Sequence, residues 1–116
     1  MLVCAVHSTN LLEEVVRAHP RLELIERVAD PDALERALLR TGASSVVLGA
    51  EVRDPVGRCR RLLERFPGLR ILALCDAERS GVLLCSGEPA RELRDLSLEE
   101  LLDSVSVRMA RGGYRG

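Results

Sequence analysis

Three side chains in this chain have the right types for metal or nucleophile chemistry: His7, Glu51 and Cys75. An imidazole, a carboxylate and a thiol meeting at one point would suit a transition-metal ion. A thiol beside an imidazole would suit a nucleophile and its base. Each of the three stands alone after its own apolar run, at no fixed ligand spacing, and no C-x-x-C occurs. No glycine-rich loop follows the first apolar run to cradle a phosphate, which disfavours a flavin or nucleotide enzyme. The expectation is no metal, no cofactor and no catalytic residue, with His7 capping a helix or bonding a loop carbonyl. The four cysteines, Cys4, Cys59, Cys75 and Cys85, lie in apolar runs or on a helix face and read as small hydrophobes.

Charge excludes further classes. All 17 basic residues are arginine, 18 residues are acidic, and the net charge is −1. The two signs are interleaved, so there is no basic field to neutralise phosphates. Phe66 and Tyr114 are too few aromatics for a base-stacking platform. Arg60-Arg61 reads as a solvated helix face. No apolar run approaches the roughly 20 residues needed to span a bilayer. Met1 leads straight into an apolar run rather than a charged leader, so no signal peptide is expected and the location is read as cytoplasmic.

The elements that must position these groups alternate. Leu2 to Val6 reads as a strand buried on both faces. Ser8, Thr9 or Asn10 then caps a helix with Leu11, Leu12, Val15 and Val16 at helical spacing, ended by Pro20. Leu22 to Ala29 is a more polar edge strand, with Leu22, Leu24 and Val28 on one face. Asp30-Pro31 opens a second helix with Leu34, Ala37 and Leu38 inward and Gly42 at its end. Ser45 to Ala50 is the most apolar strand and is expected to be central. Asp54-Pro55 opens a third helix carrying Cys59, Leu62, Leu63 and Phe66, and Leu69 to Cys75 is a fourth strand. Ser97 and Glu100 make a capping box for a last helix whose stripe is Leu98, Leu101, Leu102, Val105 and Met109. Asp54 and Asp76 read as caps. At 116 residues this is one domain, 1–111, with 112–116 as a tail or the start of a linker. Strand–helix alternation predicts a parallel α/β sheet with helices on both faces, and any ligand site at the carboxyl ends of its strands.

Three stretches carry a resemblance. His19-Pro20-Arg21-Leu22-Glu23-Leu24 through Ala29-Asp30, Leu62 to Leu74, and Leu96 to Asp103 with Met109-Ala110-Arg111-Gly112-Gly113 stand in the order and spacing of one family. Over residues 1 to 111 the chain resembles the receiver domain of NarL/LuxR-type response regulators. The resemblance implies a flavodoxin-like doubly wound (βα)5 fold with parallel sheet order 2-1-3-4-5.

It also implies where phosphorylation chemistry would sit, and those positions have changed. His7 and Ser8 stand where the family has its magnesium-holding acids. Strand register puts Ala50 at the phospho-acceptor, while alignment on the following proline puts Glu51 there. Cys75 replaces the hydroxyl ending strand 4. The lysine ending strand 5 has no counterpart, since the chain has none. Phosphorylating an aspartate needs a divalent cation on hard oxygen ligands, so the chain is expected to lack that chemistry.

Two registers compete for strand 5. In one, Val82 to Cys85 is the strand, helix 4 is nearly deleted and Cys85 takes the lysine position. In the other, Ala77 to Ser86 is a short helix 4, Ala90 to Leu93 is the strand and Arg94 takes the lysine position. The second needs no gap against the family pattern and is preferred. It would set Arg94 opposite Glu51, whose carboxylate either mimics a phospho-aspartate or is a solvated loop residue.

The expected function is a phosphorylation-independent regulatory or dimerisation module, the N-terminal part of a DNA-binding transcriptional regulator. DNA would be reached only through a domain outside this chain, and the partner would be a second copy or another protein. Leu98, Leu101 and Val105 mark a possible dimer face. The alternative is a small-molecule sensor that binds its ligand in the vacated pocket.

Overall fold

Strand β1 (Leu2–Val6) lies between its two parallel neighbours β2 (Glu23–Val28) and β3 (Ser45–Leu48), and β4 (Arg70–Cys75) extends the parallel run beyond β3. The computed structural model describes residues 2–6, 9–49, 55–75 and 80–106. Two further strands, β5 (Ser80–Cys85) and β6 (Arg91–Leu93), complete a six-stranded sheet of order β2-β1-β3-β4-β5-β6. The class is α/β, as the alternation predicts.

The five-stranded parallel winding is corrected. β5 runs antiparallel to β4, and β6 antiparallel to β5. Each register expected for strand 5 holds in part: Val82 to Cys85 is strand, and Arg91–Leu93 supplies a further strand that ends before Arg94, but neither is a parallel fifth strand beside β4. Residues 80–85 are strand where a short helix 4 is expected, and β5 points opposite to the direction that would bring Cys85 to the lysine position. The reason is the four-residue interval 76–79 between β4 and β5. A parallel crossover needs a dozen or more residues, whereas antiparallel neighbours can be joined by a short connection. β6, reversing once more, regains the direction of β4.

The helices cover both faces. Helix α1 (Asn10–Ala18) starts on Thr9, whose hydroxyl accepts from the Leu12 N–H at 3.1 Å. A 3₁₀ turn at Pro31–Ala33 leads into α2 (Leu34–Thr41), and Gly42 ends it with φ 70°, where a side chain would be strained. Helix α3 (Pro55–Arg65) follows, and α4 (Leu98–Ser106) closes the described chain. The capping box forms as its sequence spacing predicts: the Glu100 N–H donates to Ser97 Oγ at 3.1 Å, and the Ser97 N–H to Glu100 Oε1 at 3.0 Å. At the far end the Arg70 guanidinium donates to the Val105 carbonyl at 2.9 Å, placing a cation on the negative pole of α4.

Strand alternation sorts the core into two clusters. Val3, Val47, Leu72 and Leu83 face α1 and α4, meeting Leu12, Val16, Leu101, Leu102 and Val105. Cys4, Val6, Val46, Leu48 and Ile71 face α2 and α3, meeting Leu34, Leu38, Cys59 and Leu63. β1, β3 and β4 are buried on both sides, which explains their unbroken apolar sequences.

The edge strand departs from its expected pattern. Leu22 and Leu24 face the α1 side, but Val28 belongs to the opposite cluster. The β1–β2 register slips between Val3 and Cys4, from Val3↔Leu24 to Cys4↔Glu26, and that irregularity inverts the alternation. Glu26 then meets Arg40 of α2, and Arg27 meets Glu13 of α1, at 3.3 Å in the latter case.

The last-helix stripe is likewise core. Leu101 and Val105 are 0% exposed and pack on the sheet, with Leu98 partly buried beside them. Leu101 and Val105 are therefore turned inward against the sheet rather than toward a partner. Met109, and the boundary at residue 111, lie outside the described residues.

Candidate functional site

In an open α/β sheet a ligand crevice forms where neighbouring strands feed helices on opposite faces. Here that place is the carboxyl edge between β1 and β3: α1, after β1, covers one face, and α3, after β3, covers the other. The Gly49 N–H donates to the Val6 carbonyl at 2.8 Å, so the two strands stay paired to the rim. His7, Ser8, Ala50 and Glu51, all expected at this rim, lie outside the described residues, as do Asp54 and Asp76.

The two remaining candidates are brought together. Cys75 ends β4, Arg94 follows β6, and both line one concavity of about 730 Å³ with Ser80, Val82, Glu92 and Asp95. This is geometry the sequence could supply only through chain direction. β6 runs parallel to β4, so its carboxyl end arrives at the same edge of the sheet.

Within the concavity Arg94 pairs with Glu92 at 3.2 Å. The two stand one strand period apart on one face, so the pair is local. Their side chains are 74% and 67% exposed, which limits such a pair to well under about 1 kcal/mol. The Cys75 thiol points to the Ala73 carbonyl of its own strand at 4.0 Å, a weak contact befitting a small hydrophobe. Asp95 has φ 55°, a left-handed conformation that aspartate tolerates better than most residues, and it turns the chain from β6 toward α4. Among the described residues no group of three His, Cys, Asp or Glu is placed to hold a metal ion.

Two polar contacts escaped the sequence reading. His19 closes α1 with its side chain only 7% exposed, and its Nε2 lies 2.6 Å from Asp103 Oδ1 on α4. Its Nδ1 accepts the Arg21 N–H at 3.1 Å, so Nε2 carries the proton given to the carboxylate. Glu13 is 6% exposed inside the α1 face and is held by Arg27. Helical spacing offered one signal for Glu13, since it adjoins Leu12 and Val16. Nothing local marks the His19 partner.

Two thiols have their ionisation shifted. Burial in the core pushes Cys4 up, reinforced by Glu26 and opposed by the Thr41 hydroxyl and Arg40. Burial also pushes Cys85 up, reinforced by Glu88 and opposed by Arg70. Both are thereby kept as protonated thiols, the form that is a poor nucleophile.

No helix among the described residues is long and apolar enough to cross a membrane. No family model, no curated protein and no solved structure matches this chain.

Proposed function

We propose that this domain is a regulatory interaction module that works without phosphoryl transfer, the N-terminal part of a transcriptional regulator whose DNA-binding half is a separate domain. The observation that carries the reading is the antiparallel β5, standing where the receiver resemblance requires a helix and then a parallel strand ending in lysine. The phosphoryl-transfer switch that the resemblance implies depends on that lysine ammonium. In this chain Cys75 ends the fourth strand, and the cation at the edge, Arg94, is engaged by Glu92. Of the stretches that carry the resemblance, His19 to Asp30 runs from the end of α1 through β2, Leu62 to Leu74 from α3 into β4, and Leu96 to Asp103 into α4. A scaffold that keeps those elements and lacks the switching unit is suited to constitutive binding.

The test is incubation with acetyl phosphate and magnesium, followed by intact-mass measurement. An unchanged mass is expected. A stable phosphoryl adduct on an Asp or Glu side chain would overturn the reading.

The concavity beside Cys75 and Arg94 favours a second reading, a small molecule bound at the sheet edge. A ligand at 100 times its dissociation constant would add about 2.7 kcal/mol of stability, visible as a raised melting temperature. A metabolite screen with no such shift would count against it.

A further inference from the structure

α1 carries two apolar stripes. Leu12 and Val16 face the sheet and are fully buried. Leu11, Val15 and Ala18, spaced four and three residues apart, form a second stripe along the flank nearest α4. Between this stripe and α4 runs a groove of about 190 Å³, reaching from Leu11 to His19. Leu11 is 58% exposed, a large apolar side chain left in water at the mouth of the groove.

The lips of the groove are acidic. Glu14 stands on the α1 side and Glu99 on the α4 side, and both are exposed. The neighbouring carboxylates have structural duties: Glu13 holds Arg27 and Asp103 holds His19. Glu14 and Glu99 have no ion-pair partner among the described residues.

We propose that this groove docks a basic amphipathic helix of another protein, with an aliphatic side chain in the trough and arginine or lysine on each side meeting Glu14 and Glu99. An apolar trough between two carboxylates is complementary to such a helix in both shape and charge. A second copy of this chain fits poorly. A two-fold dimer would press the same patch against itself and set its carboxylates against one another. The proposal rests on the interaction-module reading and names the surface and the chemistry of the partner.

The probe is a synthetic alanine-based helix of about 15 residues, long enough to be partly helical, with leucines at i and i+4 flanked by arginines. It is titrated into the isotopically labelled domain and amide shifts are followed by NMR, beside a peptide with glutamate replacing each arginine. Expected are shifts confined to residues 11–19 and 99–103. Binding should be at least about tenfold weaker for the glutamate peptide and for the Glu14→Arg, Glu99→Arg double variant, and weaker again in high salt. Both substitutions are at exposed positions; Glu99 is in the first turn of α4, so a slightly lower melting temperature is expected, and amide shifts unchanged away from the groove verify the fold of the double variant. Absent shifts, shifts elsewhere, or equal binding of the two peptides would overturn the proposal. So would light scattering that shows a dimer abolished by Leu11→Asp. None of these results bears on the acetyl phosphate test, so the groove can fail while the phosphorylation-free reading stands.

Discussion

His19 Nε2 and Asp103 Oδ1 meet at 2.6 Å, joining the end of α1 to the middle of α4 across 84 residues of sequence. The contact fixes the imidazole from both sides, since Nδ1 is occupied by the Arg21 N–H.

His19→Ala and Asp103→Ala should each lower stability by about 1 kcal/mol, the modest value of a hydrogen bond whose acceptor is partly exposed. The double variant should cost less than the sum, because both changes remove one interaction. Urea unfolding of the four proteins checks this. Full additivity would mean that the contact contributes nothing in solution.

Stability should fall in alkali through Cys4. Its thiol is raised above the ordinary value of 9.0 in the folded chain, chiefly by burial. Above that value the unfolded chain sheds a proton that the folded chain retains, so rising pH favours unfolding. The contribution is complete below about pH 9, where both states are protonated, and declines as pH climbs toward the folded value. Cys85, shifted the same way, adds to it. Urea midpoints at pH 7 and pH 10 should drop less in Cys4→Ala than in the parent chain. An equal drop would remove Cys4 as a cause.

Gly81 marks the close approach of β5 to β4. A methyl group there would lie 2.9 Å from the Ala73 carbonyl oxygen, a backbone atom that cannot turn aside. Gly81→Ala should therefore destabilise the fold by about 1 to 3 kcal/mol, as overpacking does. Thermal or urea unfolding measures it, and a neutral result would argue against this β4–β5 register.

Leu101 is fully buried between α4 and the sheet. Leu101→Ala should cost about 2 to 5 kcal/mol, and Leu101→Asp should prevent folding rather than split a dimer. Circular dichroism distinguishes the two outcomes. A folded, monomeric Leu101→Asp protein would show this side chain at a surface instead of in the core.

Composition and local spacing decided much of this protein. Thr9, Gly42 and the Ser97–Glu100 box act within one helical turn, so their roles follow from neighbours in the chain. The double-sided burial of β1, β3 and β4 is written in their unbroken apolar runs. Strand direction is another matter. The run from Val82 to Cys85 announces a strand but not its polarity, which hangs on how few residues separate it from Cys75. The Val28 face, the His19–Asp103 contact and the shared edge of Cys75 and Arg94 all depend on partners distant in sequence. A side chain's own identity cannot specify which remote group it will meet. That is decided only when register, chain direction and helix packing are satisfied together.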